Sequence, residues 1–437
     1  MKLTVGKITS LGIQHVLAMY AGAVIVPLIV GASIGLTPQQ LTYLVSIDIL
    51  MSGIATLLQV WKNKYFGIGL PVVLGCTFTA VAPMVAIGNG FGIGSIYGSI
   101  IISGLFVILI AKYFSKIVKF FPPVVTGSVV TIIGITLIPV AMNNLAGGQG
   151  SEEFGSLENV ALGFGTLMII LLIFRFAKGF LRSIAILIGI LTGTLIAFFM
   201  GMVDFSPVVE SSWLHMPKLF YLAVPEFHIV PIITMILVAI VSLVESTGVY
   251  FALSDIVEKK LTEDDLAKGY RAEGLAIFLG GFFNAFPYTT FSQNVGLVQL
   301  SGVKSRNVIF AAGTILIFLG IVPKIGAFTT IIPSSVLGGA MIAMFGMVIA
   351  SGVKMLSKVD FTSQGNLLIV ALSIGMGLGV TVVPELFVNL PQGIRILMES
   401  GIVVGSITAV MLNIVFNMMR KKGSQMMVTL TEQKATS

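Results

Sequence analysis

The stretch TTFSQNVGLVQLSG, from Thr289 to Gly302, decides the fold of this chain. It places two adjacent amide side chains, Gln293 and Asn294, in a segment whose other residues are apolar, small or hydroxylic. Such a segment is either a loop on a soluble protein or a place where something polar is held inside a membrane. The composition of the whole chain separates these two alternatives.

The composition indicates a membrane protein. Of the 437 residues, 56% are hydrophobic and 10% are charged, whereas a soluble domain carries about 25% charged residues. The net charge of +7 does not indicate a nucleic-acid partner, because the basic residues lie in short clusters between apolar segments. The sequence therefore predicts an all-α polytopic protein that lies in a lipid bilayer.

Fourteen membrane spans are predicted. They lie near 10–34, 41–60, 70–88, 92–111, 122–142, 160–176, 182–202, 229–254, 270–285, 286–302, 307–323, 332–352, 364–383 and 399–419. With both termini cytoplasmic, 22 of the 25 Lys and Arg residues fall on the inner side, which agrees with the positive-inside rule. Spans 3 and 10 carry Gly, Pro, Thr and Ser where an unbroken spanning helix carries Leu and Ile, so both are predicted to be broken.

The chain also contains two similar segments that suggest an internal repeat. PPVVTGSVVTIIG, from Pro122, resembles PSSVLGGAMIAMFG, from Pro333, and Gly127 matches Gly338 at the same offset of 211. One such Pro and Gly pair can arise by chance, but the two broken spans also fall at matching positions. Seven spans separate the copies, so the second copy crosses the membrane upside down. The sequence therefore predicts a 7+7 inverted repeat, which is typical of secondary transporters.

These residues resemble a known family. QNVGLVQLSG is similar to the signature of the nucleobase–ascorbate transporter family, also called nucleobase:cation symporter-2. Further similar blocks are QHVLAMYAGAVIVP at 14–27, GCTFTAVAP at 75–83, LVESTG at 243–248 and RAEG at 271–274. The resemblance covers nearly the whole chain and is nearest to the bacterial members that transport xanthine. Three residues depart from the family pattern: Ser301 replaces Thr, Glu273 replaces Asp, and Val249 stands where some members carry an acid.

The resemblance implies a division into two domains. Spans 1–4 and 8–11 form a core domain, at 10–111 and 229–323, that holds the substrate. Spans 5–7 and 12–14 form a gate domain, at 122–202 and 332–419, through which a homodimer forms. Spans 3 and 10 each begin as a short strand and continue as a half-helix, and residues 420–437 are a cytoplasmic tail.

Glu245, in span 8, is the first candidate for substrate binding. A carboxyl group in mid-membrane is costly, and such groups usually face a cavity or a partner. Its two oxygens can accept two neighbouring N–H groups of a planar lactam heterocycle, and a buried carboxyl can also exchange a proton. The alternative is a hydrogen bond between two helices, but the resemblance implies that this glutamate binds the base.

Gln293 is the second candidate, because its one acceptor and two donors complement an adjacent C=O and N–H on a purine dione. The alternative is an amide that caps a broken helix. The resemblance implies an oxidised purine, since uracil transporters carry glutamate at this position. It also places Phe78 beside the base. Gly22 would let span 1 approach the ligand, and Asn294 is expected to brace the strand and half-helix.

Proton coupling is assigned to Glu245, Glu273 and His15. Glu273 begins span 9, and His15 lies in span 1 and titrates near neutrality. The alternative for His15, which the residue type favours, is a neutral imidazole that holds helices together. Asp48, in span 2, is a further buried acid with a possible structural role.

The sequence thus predicts a proton-coupled symporter that imports xanthine through a bacterial plasma membrane by alternating access. Uric acid, uracil or another nucleobase are alternative substrates within the family. An anion transporter or channel of the related sulfate-permease fold is an alternative of another class, but it would favour a basic residue that spans 3, 8 and 10 lack. An enzyme is not predicted, and neither is a metal or cofactor, because HExxH and GxxxxGK[ST] are absent and there are three histidines.

Overall fold

The computed structural model describes residues 4–419, and it is almost entirely helical. The helices of the first half are α1 (Val5–Ser33), α2 (Pro38–Val60), α3 (Val81–Phe91), α4 (Ile93–Ile117), α5 (Pro123–Leu145), α6 (Leu157–Phe176), α7 (Phe180–Ser183), α8 (Ala185–Phe199) and α9 (Ser206–Glu210). Those of the second half are α10 (Ile229–Val257), α11 (Glu263–Phe282), α12 (Ser292–Ser301), α13 (Arg306–Gly320), α14 (Pro323–Thr330), α15 (Ser334–Leu356), α16 (Gln364–Val382), α17 (Gln392–Met398) and α18 (Gly401–Asn413). Two short strands complete the list, β1 (Leu74–Cys76) and β2 (Tyr288–Thr290).

Length and hydropathy identify the helices that can cross a bilayer. Within residues 4–419 there are nine of them, or ten if α13 and α14, which meet at a bend of 79°, count as one span. The segment Phe78–Phe91 and α8 are apolar but shorter. The prediction of an all-α polytopic membrane protein is confirmed. The number fourteen stays a prediction, although a helix lies on each of the fourteen predicted segments.

Spans 3 and 10 are broken as predicted, and the two breaks pair with each other. β1 and β2 run antiparallel, with Gly75 opposite Thr289 at the centre. The ladder extends at both ends, because Thr77 N–H donates to the Pro287 carbonyl and Phe291 N–H donates to the Val73 carbonyl, each at 2.9 Å. β1 leads through a 3₁₀ turn at Phe78–Ala80 into α3, and β2 leads directly into α12. Each broken span is therefore a strand followed by a half-helix.

The inverted repeat is visible in how α5 and α15 meet. α15 begins 211 positions after α5. A Cβ added at Gly127 would lie 2.8 Å from Leu356 Cγ, and a Cβ added at Gly338 would lie 2.0 Å from the Leu145 nitrogen. Leu145 and Leu356 are themselves 211 positions apart, so the two glycines make equivalent contacts in opposite directions. This reciprocity, like the antiparallel strand pair, is what an inverted repeat produces.

The described residues divide into two compact units. The first contains 4–116 and 137–347, and the second contains 117–136 and 348–419. In the first unit α2 packs against α13, α14 and α11, and in the second α16 packs against α18. The first unit includes both predicted core segments in full and part of the predicted gate segments. The assignment of spans to core and gate stays a prediction, and the predicted tail at 420–437 lies outside the described residues.

Candidate substrate-binding site

Glu245 lies where the two broken spans meet α10. The helix packs against the 3₁₀ turn at Phe78–Ala80, against α3, against β2 and against α12. The Glu245 side chain is half-buried, and its Oε2 accepts a hydrogen bond of 3.4 Å from the Thr79 hydroxyl. The carboxyl group therefore faces the start of the first half-helix. The hydrogen bond is long, so most of the acceptor capacity of the carboxyl remains for a ligand.

Gln293 is the second residue of α12, and its side chain is half-buried. The N-cap residue of this helix, Phe291, makes no side-chain capping hydrogen bond. No hydrogen bond joins the Gln293 carboxamide to another of residues 4–419. The first-turn N–H groups of a helix have no partner within the helix and carry a partial positive charge. The amide and the helix end together suit a carbonyl oxygen next to an N–H group.

An apolar wall of rings lies between the half-helices. The ring centroid of Phe78 is 6.2 Å from that of Phe291 and 5.4 Å from that of Phe345, the latter in an edge-to-face arrangement. A Cβ added at Gly22 would lie 2.6 Å from the Phe291 ring, and one added at Gly75 would lie 2.3 Å from its opposite edge. The Phe291 ring therefore occupies a space that exists only because both neighbours are glycine. Gly22 brings α1 close to this ring, and Phe78 lies in the same wall. The predicted approach of α1 and of Phe78 to a ligand stays a prediction.

Asn294 and His15 contact each other. The Asn294 Nδ2 donates to the His15 carbonyl at 3.0 Å and lies 3.1 Å from the His15 Nδ1. His15 is 4% exposed, and the Asn294 Oδ1 has no partner among the described residues. The amide therefore ties α12 to α1, which fits the bracing role expected of Asn294 and the structural alternative for His15. A proton-coupling role for His15 stays a prediction.

Glu273 belongs to a buried network of hydroxyl groups. The Tyr250 hydroxyl donates to Glu273 Oε1, and the Ser246 hydroxyl donates to Oε2 at 3.0 Å. The Ser246 oxygen also lies 3.0 Å from the Thr289 hydroxyl of β2. Since Ser246 directly follows Glu245 in α10, the two glutamates are linked through this residue.

Several contacting residues were missed by the sequence reasoning. Thr79, Ser246 and Tyr250 bind the two glutamates, and Phe291 and Phe345 complete the ring wall. Hydroxyl groups within apolar spans were the available signal for the first three. The rings had no signal of their own, because aromatic residues are common in membrane helices.

The electrostatic character of the site is acidic and polar. The sequences of α3, α10 and α12 contain no Lys or Arg. Within the part of the chain that the structure describes, no group of three or more His, Cys, Asp or Glu side chains could hold a metal ion. The arrangement suits a neutral, N–H-rich ligand better than an anion.

Two paired broken spans among many apolar helices are the features of a multi-pass membrane carrier. Comparison with known proteins narrows this class. A family model described as "Permease family" matches residues 6–386, and the chain belongs to this family, the nucleobase–ascorbate transporters. It is a nucleobase permease of a bacterial membrane and not an enzyme.

Two relatives illustrate the family. A xanthine permease of Bacillus subtilis is 66% identical over 98% of this chain and 98% of its own length. A uric acid permease of the same organism, PucK, is 66% identical over 94% of this chain and 95% of its own length. The chain is therefore equally similar in sequence to a protein named for xanthine and to a protein named for uric acid.

The fold is shared more widely. The transmembrane domain of the cyanobacterial bicarbonate transporter BicA superposes with a TM-score of 0.61 at 15% identity, over 87% of this chain and 98% of that domain. This likeness concerns the fold alone. The anion-transporter alternative therefore predicted the correct architecture, while the family match separates this chain from that class.

Proposed function

We propose that this permease imports oxidised purines, with xanthine as the preferred substrate, together with protons. The observation that carries the proposal is the position of Glu245, on a helix that contacts both half-helices and faces the start of the first. Gln293 supports it, since its free amide lies in the first turn of the second half-helix. Xanthine presents N–H and C=O groups alternately along one edge, which matches an acceptor-only carboxylate and a mixed donor and acceptor amide.

The ring wall supports a flat ligand. Phe78 directly precedes Thr79, which contacts Glu245, and Phe291 directly precedes α12, which carries Gln293. Aromatic rings favour offset or edge-to-face contacts with a planar heterocycle. A site that hydrogen-bonds each polar group of a substrate rejects analogues that lack one of them by large factors. The combination of Glu245, Gln293 and these rings is therefore expected to select a dione or trione purine over adenine.

The antiparallel pair of β1 and β2 supports alternating access. Each half-helix follows one of these two strands, so a ligand held beside the strand pair lies near the centre of the inverted repeat. Movement of the core spans against the gate spans would expose this point to each side of the membrane in turn. Dimer formation through the gate domain and cytoplasmic termini are part of the same proposal.

Proton coupling is proposed for Glu245 with Glu273. Glu245 contacts the half-helix, and Glu273 is linked to the neighbouring Ser246. A proton bound at either carboxyl would change the hydrogen bonds offered to the purine or to β2. Transport of the purine and of the proton would therefore be coupled through one short segment of α10.

Uric acid is the second candidate substrate. It is favoured by the relative PucK, whose identity to this chain equals that of the xanthine permease. Uric acid differs from xanthine by a carbonyl group on the five-membered ring. The preference between the two substrates therefore depends on whether the site offers a hydrogen-bond donor to that carbonyl group.

Uptake of labelled xanthine tests the proposal. The chain is expressed in a bacterial strain without its own purine permeases, and uric acid, uracil, guanine and hypoxanthine are added as competitors, with and without a protonophore. We expect saturable uptake that xanthine and uric acid inhibit, that uracil leaves unchanged and that the protonophore abolishes. Absence of purine uptake from correctly inserted protein would contradict the proposal.

The variant Glu245→Gln tests the role of the carboxyl group. We expect uptake to fall at least tenfold, because a hydrogen bond to a charged acceptor contributes about 1.5–3 kcal/mol. Glu263→Gln is the matched control, since Glu263 is exposed in the first turn of α11. Equal uptake by the two variants would show that Glu245 does not bind the substrate.

A further inference from the structure

Asp48 is a buried acid that the proposed transport chemistry does not use. It lies on α2 and is 0% exposed. Its Oδ1 accepts two hydrogen bonds, one from the Phe286 N–H at 2.7 Å and one from the Tyr288 hydroxyl at 3.2 Å. Both donors lie about 240 positions away in sequence, in the segment that opens the second broken span. The Cys76 thiol of β1 also forms a hydrogen bond with the Asp48 carboxyl group.

The two donors, Phe286 and Tyr288, flank Pro287, the proline at which the second broken span is interrupted. Pro287 has no N–H group, and its carbonyl is already bonded to the Thr77 N–H at 2.9 Å. Tyr288 then opens β2 and pairs with Cys76 of β1. Asp48 therefore holds the end of the strand pair from which β1 continues into the first half-helix.

α2 also holds the other end of the strand pair. The Thr56 hydroxyl oxygen accepts a hydrogen bond of 3.0 Å from the Leu74 N–H, and Leu74 pairs with Thr290. Thr56 follows Asp48 by eight residues, which is about 12 Å along the helix axis. One helix, α2, thus bonds to the first residue of each strand, Leu74 of β1 and Tyr288 of β2. The β1–β2 pair is therefore fixed relative to α2.

Few residues separate the β1–β2 pair from the proposed ligand-binding residues. Gln293 follows Tyr288 by five residues, and Phe78 follows Cys76 by two. A shift of the strand pair therefore moves both the amide and the ring relative to Glu245, which stands on a different helix. A buried acid is costly in a membrane protein, and such residues are retained where they serve a function.

We propose that Asp48 is a positioning residue for substrate selectivity. It does not touch the substrate. Its carboxyl oxygen fixes the position of β2, and through β2 the distance between the Gln293 amide and the Glu245 carboxyl group. This inference rests on the proposed function, since it assumes that those two groups bind the purine.

Kinetics of four variants test the inference. Asp48→Asn keeps an acceptor oxygen, and Asp48→Leu removes it. Tyr288→Phe removes the hydroxyl group that donates to this oxygen, and Ser52→Ala is the matched control. Ser52 lies one turn from Asp48, is fully buried, and its hydroxyl has no partner in the described chain. KM and maximal rate are measured for xanthine and for uric acid, at equal amounts of protein that elutes as a single folded species.

The expected pattern is a change of KM and of substrate preference. For Asp48→Leu we expect KM to rise roughly tenfold or more, the size expected when several buried hydrogen bonds to one acceptor group are lost together. Tyr288→Phe should raise KM by roughly threefold, in keeping with the loss of one of these bonds. Asp48→Asn and Ser52→Ala should stay within about twofold of the wild type. The ratio of xanthine to uric acid uptake should change in the first two variants and not in the last two.

Two results would overturn the inference. One is wild-type KM and preference in Asp48→Leu, and the other is an Asp48→Asn variant as impaired as Asp48→Leu, because the acceptor would then not be the relevant feature. If Asp48→Leu does not fold, wild-type KM in Tyr288→Phe overturns the inference and a raised KM supports it. Wild-type protein that transports neither purine would instead overturn the proposed function, so the two failures are distinguishable.

Discussion

Gly22→Ala is the sharpest test of the ring wall. The new Cβ would lie 2.6 Å from Phe291 Cε1 and 3.2 Å from its Cζ, whereas unstrained carbon atoms lie about 3.5–4.0 Å apart. The overlap is therefore about 1 Å. The ring cannot move away freely, because Gly75 lies against its opposite edge, where an added Cβ would be 2.3 Å from Cε2.

The expected magnitude follows from overpacking. Inserting a methyl group into a well-packed interior costs about 1–3 kcal/mol, which corresponds to a factor of roughly 5 to 150 in an equilibrium constant. The strain is relieved only if Phe291 moves, and Gln293 follows Phe291 by two residues at the start of α12. We therefore expect KM for xanthine to rise by such a factor, together with a lower melting temperature.

Gly6→Ala is the control, since a Cβ added at Gly6 meets nothing within 4 Å and the residue lies on the same helix. Both variants gain the helix propensity of alanine, about 1 kcal/mol, so their difference isolates the steric effect. Uptake kinetics and thermal unfolding in detergent are measured for both. The double variant Gly22→Ala with Phe291→Leu removes the clashing ring atoms and should recover part of the affinity. Equal KM in Gly22→Ala and Gly6→Ala would refute the proposed packing of this ring.

Three further predictions concern other contacts. Gln293→Glu replaces two N–H donors by acceptors, so competition assays should show at least tenfold weaker inhibition by xanthine; unchanged inhibition would exclude Gln293 from the site. Asn294→Ala removes the hydrogen bond that joins α12 to the His15 carbonyl of α1, and we expect a loss of about 0.5–1.5 kcal/mol in stability, measured by thermal unfolding; an unchanged melting temperature would argue against the brace. Burial, the largest single cause, raises the pKa of Asp265, but the hydrogen bonds from Lys62 and Thr262 and the charge of Lys259 together outweigh it, and the pKa is lowered overall. A lowered carboxyl pKa contributes stability that is present above the unfolded value of about 3.9 and is lost as the pH falls through the folded pKa. Asp265→Asn should therefore unfold at a lower temperature than the wild type at pH 7, and this difference should shrink progressively as the pH falls below about 3.9. A difference that stays constant on acidification would contradict this reasoning.

Much of the site could be predicted from the sequence, because a polar side chain in an apolar span stands out. Glu245, Gln293 and Glu273 were found in this way. The structure brings Glu245 to the first half-helix, and within residues 4–419 the Gln293 amide has no hydrogen-bond partner. Their role in substrate binding remains the proposal made above, to be decided by uptake measurements.

The number of spans shows where sequence reasoning and structure use different criteria. Charge counting predicts fourteen crossings, while length and hydropathy identify nine or ten helices within residues 4–419. α11, α12 and the segment Phe78–Phe91 are too polar or too short to qualify. A segment enclosed by other helices satisfies its backbone through protein contacts and does not need the apolar surface that lipid demands.

By itself, the sequence determined the class of protein, the positions of the two broken spans, the inverted repeat and the candidate acid and amide. These features follow from local composition, because hydropathy, proline and glycine act within one turn or one span. Tertiary structure alone decided which polar groups meet. Asp48 bonds to a residue 240 positions away, and Asn294 bonds to one 279 positions away. Such pairings depend on which helices cross, and a side chain's own neighbours in sequence carry no record of the helix that will pack against it.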